Sequence, residues 1–220
     1  MKKKKTFCIA GLGGLLTAVL ILSVRFADVA PIGPDGTCIG LSHLNQAVFD
    51  LFGVHMLWYE ITDWLGIAAI LTGLLFAGTG FLQLIRRKSI LKVDRELLLL
   101  ACLYMTIAGL YVLFELVIVN YRPIIMPDGT GPEASFPSSH TMLVCVIMGS
   151  TIMLLDKYVK GKALCRVLRG ICGAVMGIAV VGRLISGVHW FTDIIGSILI
   201  STTLLALFFG IKEGIESRQG

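Results

Sequence analysis

Three stretches of this chain gather cations, imidazoles, hydroxyls and a carboxylate at the ends of apolar runs. They are Tyr121-Arg122-Pro123, Phe136-Pro137-Ser138-Ser139-His140-Thr141, and Gly182-Arg183 followed by His189-Trp190-Phe191-Thr192-Asp193. Each sets a cation, an imidazole or backbone N–H donors at the end of an apolar run. Polar groups at membrane depth are costly unless something uses them. An anion with several oxygens is the simplest user, and no Cys/His spacing in the chain resembles a zinc site, so the expectation is a metal-free phosphate site.

Pro137-Ser138-Ser139-His140 opens an apolar segment. A helix that starts there offers unpaired N–H groups and the positive end of its dipole, both suited to phosphate. An ordinary helix cap accounts for one serine but not for His140. Arg122 and Arg183 are guanidinium groups at segment ends, able to grip phosphate oxygens in pairs without losing charge. A lone arginine there would be read as snorkelling to lipid headgroups. Two of them beside a helix start read better as a site. His189 and Asp193 are four apart and share a helical face. A carboxylate on one ring nitrogen fixes the tautomer and leaves the other nitrogen as base or nucleophile. A self-satisfied buried pair is the plainer reading.

The elements that must position these groups are membrane spans. Of the 220 residues 56% are hydrophobic and 15% charged. With a mean hydropathy of +0.87, that excludes a soluble domain. Runs at 6–24, 64–85, 97–120, 138–155, 167–186 and 189–211 reach or approach the roughly 20 apolar residues that a span needs. The net charge of +5 does not point to nucleic acid, because the cations are segregated. Lys2 to Lys5 precede the first span. Arg86, Arg87, Lys88, Lys92 and Arg95 follow the second, Lys157, Lys160, Lys162, Arg166 and Arg169 the fourth, and Lys212 and Arg218 the sixth. Only Arg25, Arg122 and Arg183 of the 19 cations fall at the other ends. The positive-inside rule then puts both termini in the cytoplasm and all three motifs outside, in an integral protein of the cell membrane.

The chain reads as one domain over 1–220, all-α, with six transmembrane helices and no linker. The basic N-terminus and its apolar run resemble a secretory signal, but the run is long for one. Phe26-Ala27-Asp28-Val29-Ala30 holds no Ala-x-Ala, so an uncleaved first span is expected. Of six cysteines only Cys38 is expected to face outward, which leaves it no extracellular disulfide partner. Between the first two spans, Leu44, Ala47, Val48, Leu51 and Phe52 recur at helical spacing opposite His43, Asn45, Gln46 and Asp50. That predicts an amphipathic helix capped by Ser42, lying on the outer surface or over the spans as a lid. Trp58, Tyr59, Trp64 and Trp190 are expected at the outer interface. The loop 124–135, with two prolines and two glycines in Met126-Pro127-Asp128-Gly129-Thr130-Gly131-Pro132-Glu133, is not helical and should cross the outer mouth.

Arg122-Pro123, Pro137-Ser138-x-His140 and Arg183-x5-His189-x3-Asp193 together resemble the three-part signature of the type-2 phosphatidic acid phosphatase and vanadium haloperoxidase superfamily. The ordered match spans roughly 115–193, and six spans with an outward site resemble its membrane lipid phosphatase branch. The resemblance implies that His189 attacks phosphorus and becomes a phosphohistidine, and that Asp193 orients it. It implies that His140 protonates the leaving oxygen and later assists water. It gives Arg122, Arg183, Ser138 and the Ser139 N–H the equatorial oxygens, with no cofactor. Three positions depart from the family pattern: Ser139 stands for a glycine, Gly182 for a serine, and Glu115 for a lysine. The first two keep their backbone donors. Glu115 replaces a phosphate-binding cation with an anion. Two helical turns below Arg122, it would be a buried partner for an arginine or would select a headgroup carrying an amine. The pairing, with Arg122 or Arg183, is the expectation tested below.

The function expected is metal-independent hydrolysis of a lipid phosphomonoester or diphosphate at the outer leaflet. An isoprenoid diphosphate, phosphatidic acid and phosphatidylglycerol phosphate are all candidates. The partners are that substrate and the surrounding lipids; the oligomeric state stays open. The alternatives are a phosphotransferase that passes the phosphoryl group to a lipid or sugar hydroxyl, and a catalytically weak lipid-phosphate-binding protein marked by Glu115. A small transporter would need its polar groups nearer the middle of the membrane.

Overall fold

The computed structural model describes residues 2–127 and 129–217. Asp128 of the outer loop and Arg218, one of the segregated cations, lie outside the described residues. Seven α-helices carry the chain: α1 (Lys2–Phe26), α2 (Ser42–Phe52), α3 (Met56–Arg87), α4 (Arg95–Leu116), α5 (Ser139–Tyr158), α6 (Lys162–Ile185) and α7 (Phe191–Glu216). Six of them, all but α2, are long and apolar enough to cross a membrane, as the sequence predicts. The fold is that of an all-helical polytopic membrane protein.

α5 is the axis of the bundle. Met142, Val144, Val146, Ile147, Met148, Leu154 and Leu155 are all buried, so its apolar residues face neighbours on every side. One core joins Leu100, Leu103 and Ile107 of α4 to Met142 and Val146 of α5 and Ile200 and Phe208 of α7. A second joins Ala69 of α3 to Val144 and Met148 and to Cys172 and Ala179 of α6. Exposed Leu71, Leu74 and Leu75 on α3, and Val167, Ile171 and Ile178 on α6, give the outer girdle that lipid requires.

Two helix ends differ from expectation and matter to the site. α3 begins at Met56, eight residues before the apolar run at 64, and its 32 residues span roughly 48 Å. That exceeds a hydrocarbon core of about 30 Å. Its first two turns therefore stand at the motif-bearing ends of the other helices and carry Trp58, Tyr59 and Asp63. α4 ends at Leu116, four residues before the apolar run stops. The β-branched series Val117-Ile118-Val119 gives little support to another turn. The chain instead runs extended to Tyr121, which bridges Ala134.

α2 forms where predicted, but Ser42 is not its cap. Leu41 holds that position in the left-handed region, φ 48°. Asp28 supplies the cap from outside: its carboxylate accepts the His43 N–H at 2.9 Å and the Ser42 hydroxyl at 3.0 Å. The helix is also turned relative to expectation. Leu44 and Leu51 are exposed, whereas Asn45 is fully buried and donates to the Gly40 carbonyl at 2.8 Å and the Thr192 hydroxyl at 3.0 Å. Its carbonyl accepts the Thr192 N–H at 3.1 Å, which ties α2 to the first turn of α7.

Candidate active site

The three motifs converge at one end of the bundle. α6 ends at Ile185, and Gly187 reverses the chain at φ +70°. An added Cβ there would lie 2.2 Å from the Gly53 carbonyl oxygen, so only glycine makes this turn. Val188 and His189 follow at once. Trp190 is 2% exposed rather than interfacial, and its indole N–H donates to the Tyr121 carbonyl at 2.7 Å. That bond pins the Arg122 segment to the start of α7. The loop after Arg122 folds back on itself instead of crossing the mouth. The Arg122 N–H donates to the Glu133 carbonyl at 2.9 Å and the Ser135 N–H to the Asn120 carbonyl at 2.9 Å.

His189 is 4% exposed. Its Nδ1 lies 3.1 Å from the Ser135 carbonyl oxygen and 3.7 Å from an Asp193 carboxylate oxygen. The carbonyl is therefore the hydrogen-bond acceptor, and the carboxylate is too far for a bond of its own. A carbonyl can only accept, so Nδ1 carries the proton and Nε2 keeps its lone pair. Burial, and then the charges of Arg122 and Arg183, hold the His189 pKa well below the ordinary value, so the ring is neutral. Nε2 is buried without a partner. Asp193 accepts the Trp190 N–H at 2.9 Å and is fully buried. The buried amide of Asn120 and hydroxyl of Ser135 complete the polar pocket behind the histidine.

In front of His189 is a cavity lined by Arg122, Ser139, Glu115, Tyr111 and Pro137. The free N–H groups of the first turn of α5 open at the same place. Ser139 lines this cavity, whereas Ser138 does not serve it with its side chain: it is fully buried and its hydroxyl pairs with that of Thr141 at 3.0 Å. The expected phosphate contact from the Ser138 hydroxyl is corrected on that ground. A second cavity, lined by Asp63, Gly66, Ile70, Tyr111, Ser139, His140 and Leu143, adjoins the first. It continues as an apolar groove of about 400 Å³ between α3, α4 and α5, past Gly73, Tyr104 and Ile107.

The pairing expected for Glu115 is also corrected. Glu115 is exposed, and among the described residues no arginine pairs with it. Arg122 pairs with Glu133 at 3.1 Å. Arg183, 1% exposed, pairs with Asp63 and lies 4.6 Å from the centre of the Tyr59 ring. The physical reason is the early end of α4. With 117–122 non-helical, position 115 is not two turns below Arg122. Asp63 is the residue the sequence reading missed. Its signal was an acid inside an apolar helix, in register with Tyr59 and Gly66 on one face.

The PAP2 superfamily model matches residues 71–215, well over half of the chain. No curated protein matches it. A crystal structure of a transmembrane PAP2-type phosphatidylglycerolphosphate phosphatase from Bacillus subtilis is similar in fold, with a TM-score of 0.67 and 18% identity over 94% of this chain and 96% of that one. With the motifs gathered at one end of six membrane-spanning helices, the chain belongs to the PAP2 superfamily and is an integral membrane phosphatase.

Proposed function

We propose that this phosphatase hydrolyses a lipid phosphate or diphosphate at the outer leaflet through a phosphohistidine on His189. The observation that carries the reading is the His189 ring: neutral, held at Nδ1 by the Ser135 carbonyl, with Nε2 unpartnered in a cavity shared by Arg122 and Ser139. Nε2 attacks phosphorus as the bond to the lipid oxygen breaks. His140 gives that oxygen its proton. Water then attacks the phosphoryl group, His140 takes its proton back, and the N–P bond breaks to release phosphate and neutral His189. Arg122, Arg183 and the Ser139 N–H carry the charge on the equatorial oxygens. The groove between α3, α4 and α5 matches acyl or isoprenyl chains, and its exposed apolar walls favour a substrate that arrives from the lipid. The similar fold from Bacillus subtilis, by its name, acts on phosphatidylglycerol phosphate, which joins phosphatidic acid and an isoprenoid diphosphate as substrates to try first.

The test is phosphate release by purified full-length protein from these three lipids, with chelator present. Release from at least one is expected. No release from any, or complete inhibition by chelator, would contradict the reading. The orientation is tested by native Cys38, an exposed cysteine at the motif end of the bundle. An impermeant thiol reagent should label it in intact cells and should not label Cys38→Ser. Labelling only after lysis would place the site in the cytoplasm.

A further inference from the structure

Asp63 stands outside the three motifs and outside residues 71–215, yet it touches two of the groups the motifs supply. One of its carboxylate oxygens accepts a hydrogen bond from Arg183 Nη2 and lies within ion-pair distance of His140 Nε2, at 3.1 Å. The N-terminal turns of α3 form a plate behind it. Tyr59 is one turn earlier and covers the Arg183 guanidinium. Gly66 is the next residue on that face, and a Cβ added to it would stand 3.1 Å from His140 Cδ2. α3 therefore sets the position of the His140 ring by an ion-pair contact on one side and a close fit on the other.

We propose that Asp63 is a positioning residue that fixes His140 as the proton donor to the leaving oxygen, acting through Nε2 and leaving Nδ1 to face the substrate. With Nε2 turned to the Asp63 carboxylate, Nδ1 is the ring nitrogen left for the substrate, and the carboxylate is the counter-charge for the doubly protonated ring. The charged groups around His140 are Arg183 on α6, Asp63 on α3 and Arg122 after α4, with the titratable His189 in the segment before α7. Asp63 is the anion among them. The half-exposed pair, 39% for the His140 side chain and 35% for Asp63, opens on the groove where the lipid part of a substrate would leave. The proposal rests on the phosphohistidine reading, because it needs His140 to act as the acid.

A proton donor matters in proportion to the basicity of the leaving oxygen. An alkoxide needs the proton and p-nitrophenolate does not, whereas Arg183 serves both. The experiment compares Asp63→Asn with the unaltered protein on a short-chain phosphatidic acid and on p-nitrophenyl phosphate, full chain in detergent. The expected result is a loss on the lipid of about 30-fold or more, within the range for general-acid catalysis, and a rise of about tenfold in the rate ratio of aryl to lipid substrate. Asp63→Glu, which keeps the carboxylate, should return the ratio toward the original. In a His140→Ala background, Asp63→Asn should leave the ratio unmoved. Equal losses on both substrates, an unchanged lipid rate, or a ratio still shifted by Asp63→Asn without His140 would overturn the proposal. His189→Ala is assayed alongside: turnover surviving there would sink the phosphohistidine reading, a different failure from any of these.

Discussion

The two histidines of the site occupy opposite walls. His189 belongs to the wall made by α7 and the segments packed on it. It is 4% exposed, its Nδ1 is bonded to a backbone carbonyl, and Asp193 behind it is fully buried. His140 belongs to the wall toward α3, where its side chain is 39% exposed and within ion-pair distance of another half-exposed side chain, Asp63. The difference follows from what each wall must do. A nucleophile needs one tautomer and no competing water, which a sealed wall held by backbone bonds provides. A leaving lipid needs an exit, so the wall beside it must open on the groove. The sealed wall is built from motif residues and backbone; the open wall is finished by α3.

Breaking the sealed wall should cost most. His189→Ala removes the attacking nitrogen and should lower phosphate release by about 10⁴-fold or more. Asp193→Asn replaces the carboxylate that accepts the Trp190 N–H with an amide. It should loosen the segment that carries His189 and cost about 10²-fold in kcat. If Asp193→Asn proved neutral, the buried carboxylate would be structural ballast and the contrast between the walls would lose its reason.

The pH profile sharpens the same contrast. In the proposed mechanism His189 acts as the neutral ring, and its pKa in the folded chain is held well below 6.5. The acid limb of kcat/KM, which reports the free enzyme once the substrate's own ionisation is allowed for, should therefore lie below pH 6.5. Between 6.5 and the folded value the unfolded chain binds a proton at this residue that the folded chain does not. Stability thus falls as pH drops through that window and is regained as pH rises. An acid limb above 6.5 would show that the wall does not hold His189 neutral.

Much of this was legible in the sequence. The spans follow from hydropathy, and the convergence of Arg122, His140, Arg183, His189 and Asp193 follows from their places at span ends. What was not legible has physical reasons. The acceptor for His189 is a backbone carbonyl, which carries no signature in the identity of Ser135. The end of α4 at Leu116 is hidden because Val117-Ile118-Val119 extends the apolar run while ending the helix. Hydropathy reports burial in lipid, not the hydrogen-bond ladder. Asp63 precedes the apolar run that begins at Trp64, so hydropathy leaves it outside the span. Helix α3 in fact starts at Met56 and places Asp63 two turns inside.

The open wall should respond more gently. Gly66→Ala puts a methyl 3.1 Å from His140 Cδ2, a contact that requires the ring to give by a few tenths of an ångström. A loss of about threefold to tenfold in kcat on a lipid phosphate is expected, with little change in KM. Gly66→Ala at full activity would mean that the fit against α3 does not set the ring.

Glu115 gives the smallest effect and the sharpest reading of the corrected site. It is exposed, has no ion-pair partner and lines the cavity beside Arg122. Glu115→Gln should therefore leave the thermal midpoint within error, since an exposed charge with no partner among the described residues contributes little to stability. Its effect should appear in binding. A carboxylate near the phosphate opposes a dianion and attracts an ammonium. Removing it should lower KM for phosphatidic acid, and Glu115→Lys should lower it further, by about fivefold at the roughly 1 kcal/mol that charges a few ångströms apart exchange in water. Both shifts should shrink at high salt, and kcat should hold because His189 is untouched. A substrate whose headgroup carries an amine should show the reverse order, with the native glutamate giving the lowest KM. If Glu115→Lys raised KM for every substrate, Glu115 would not be weighing headgroup charge at all. Its place in the cavity wall would then be steric, and the departure from the family lysine would carry no specificity.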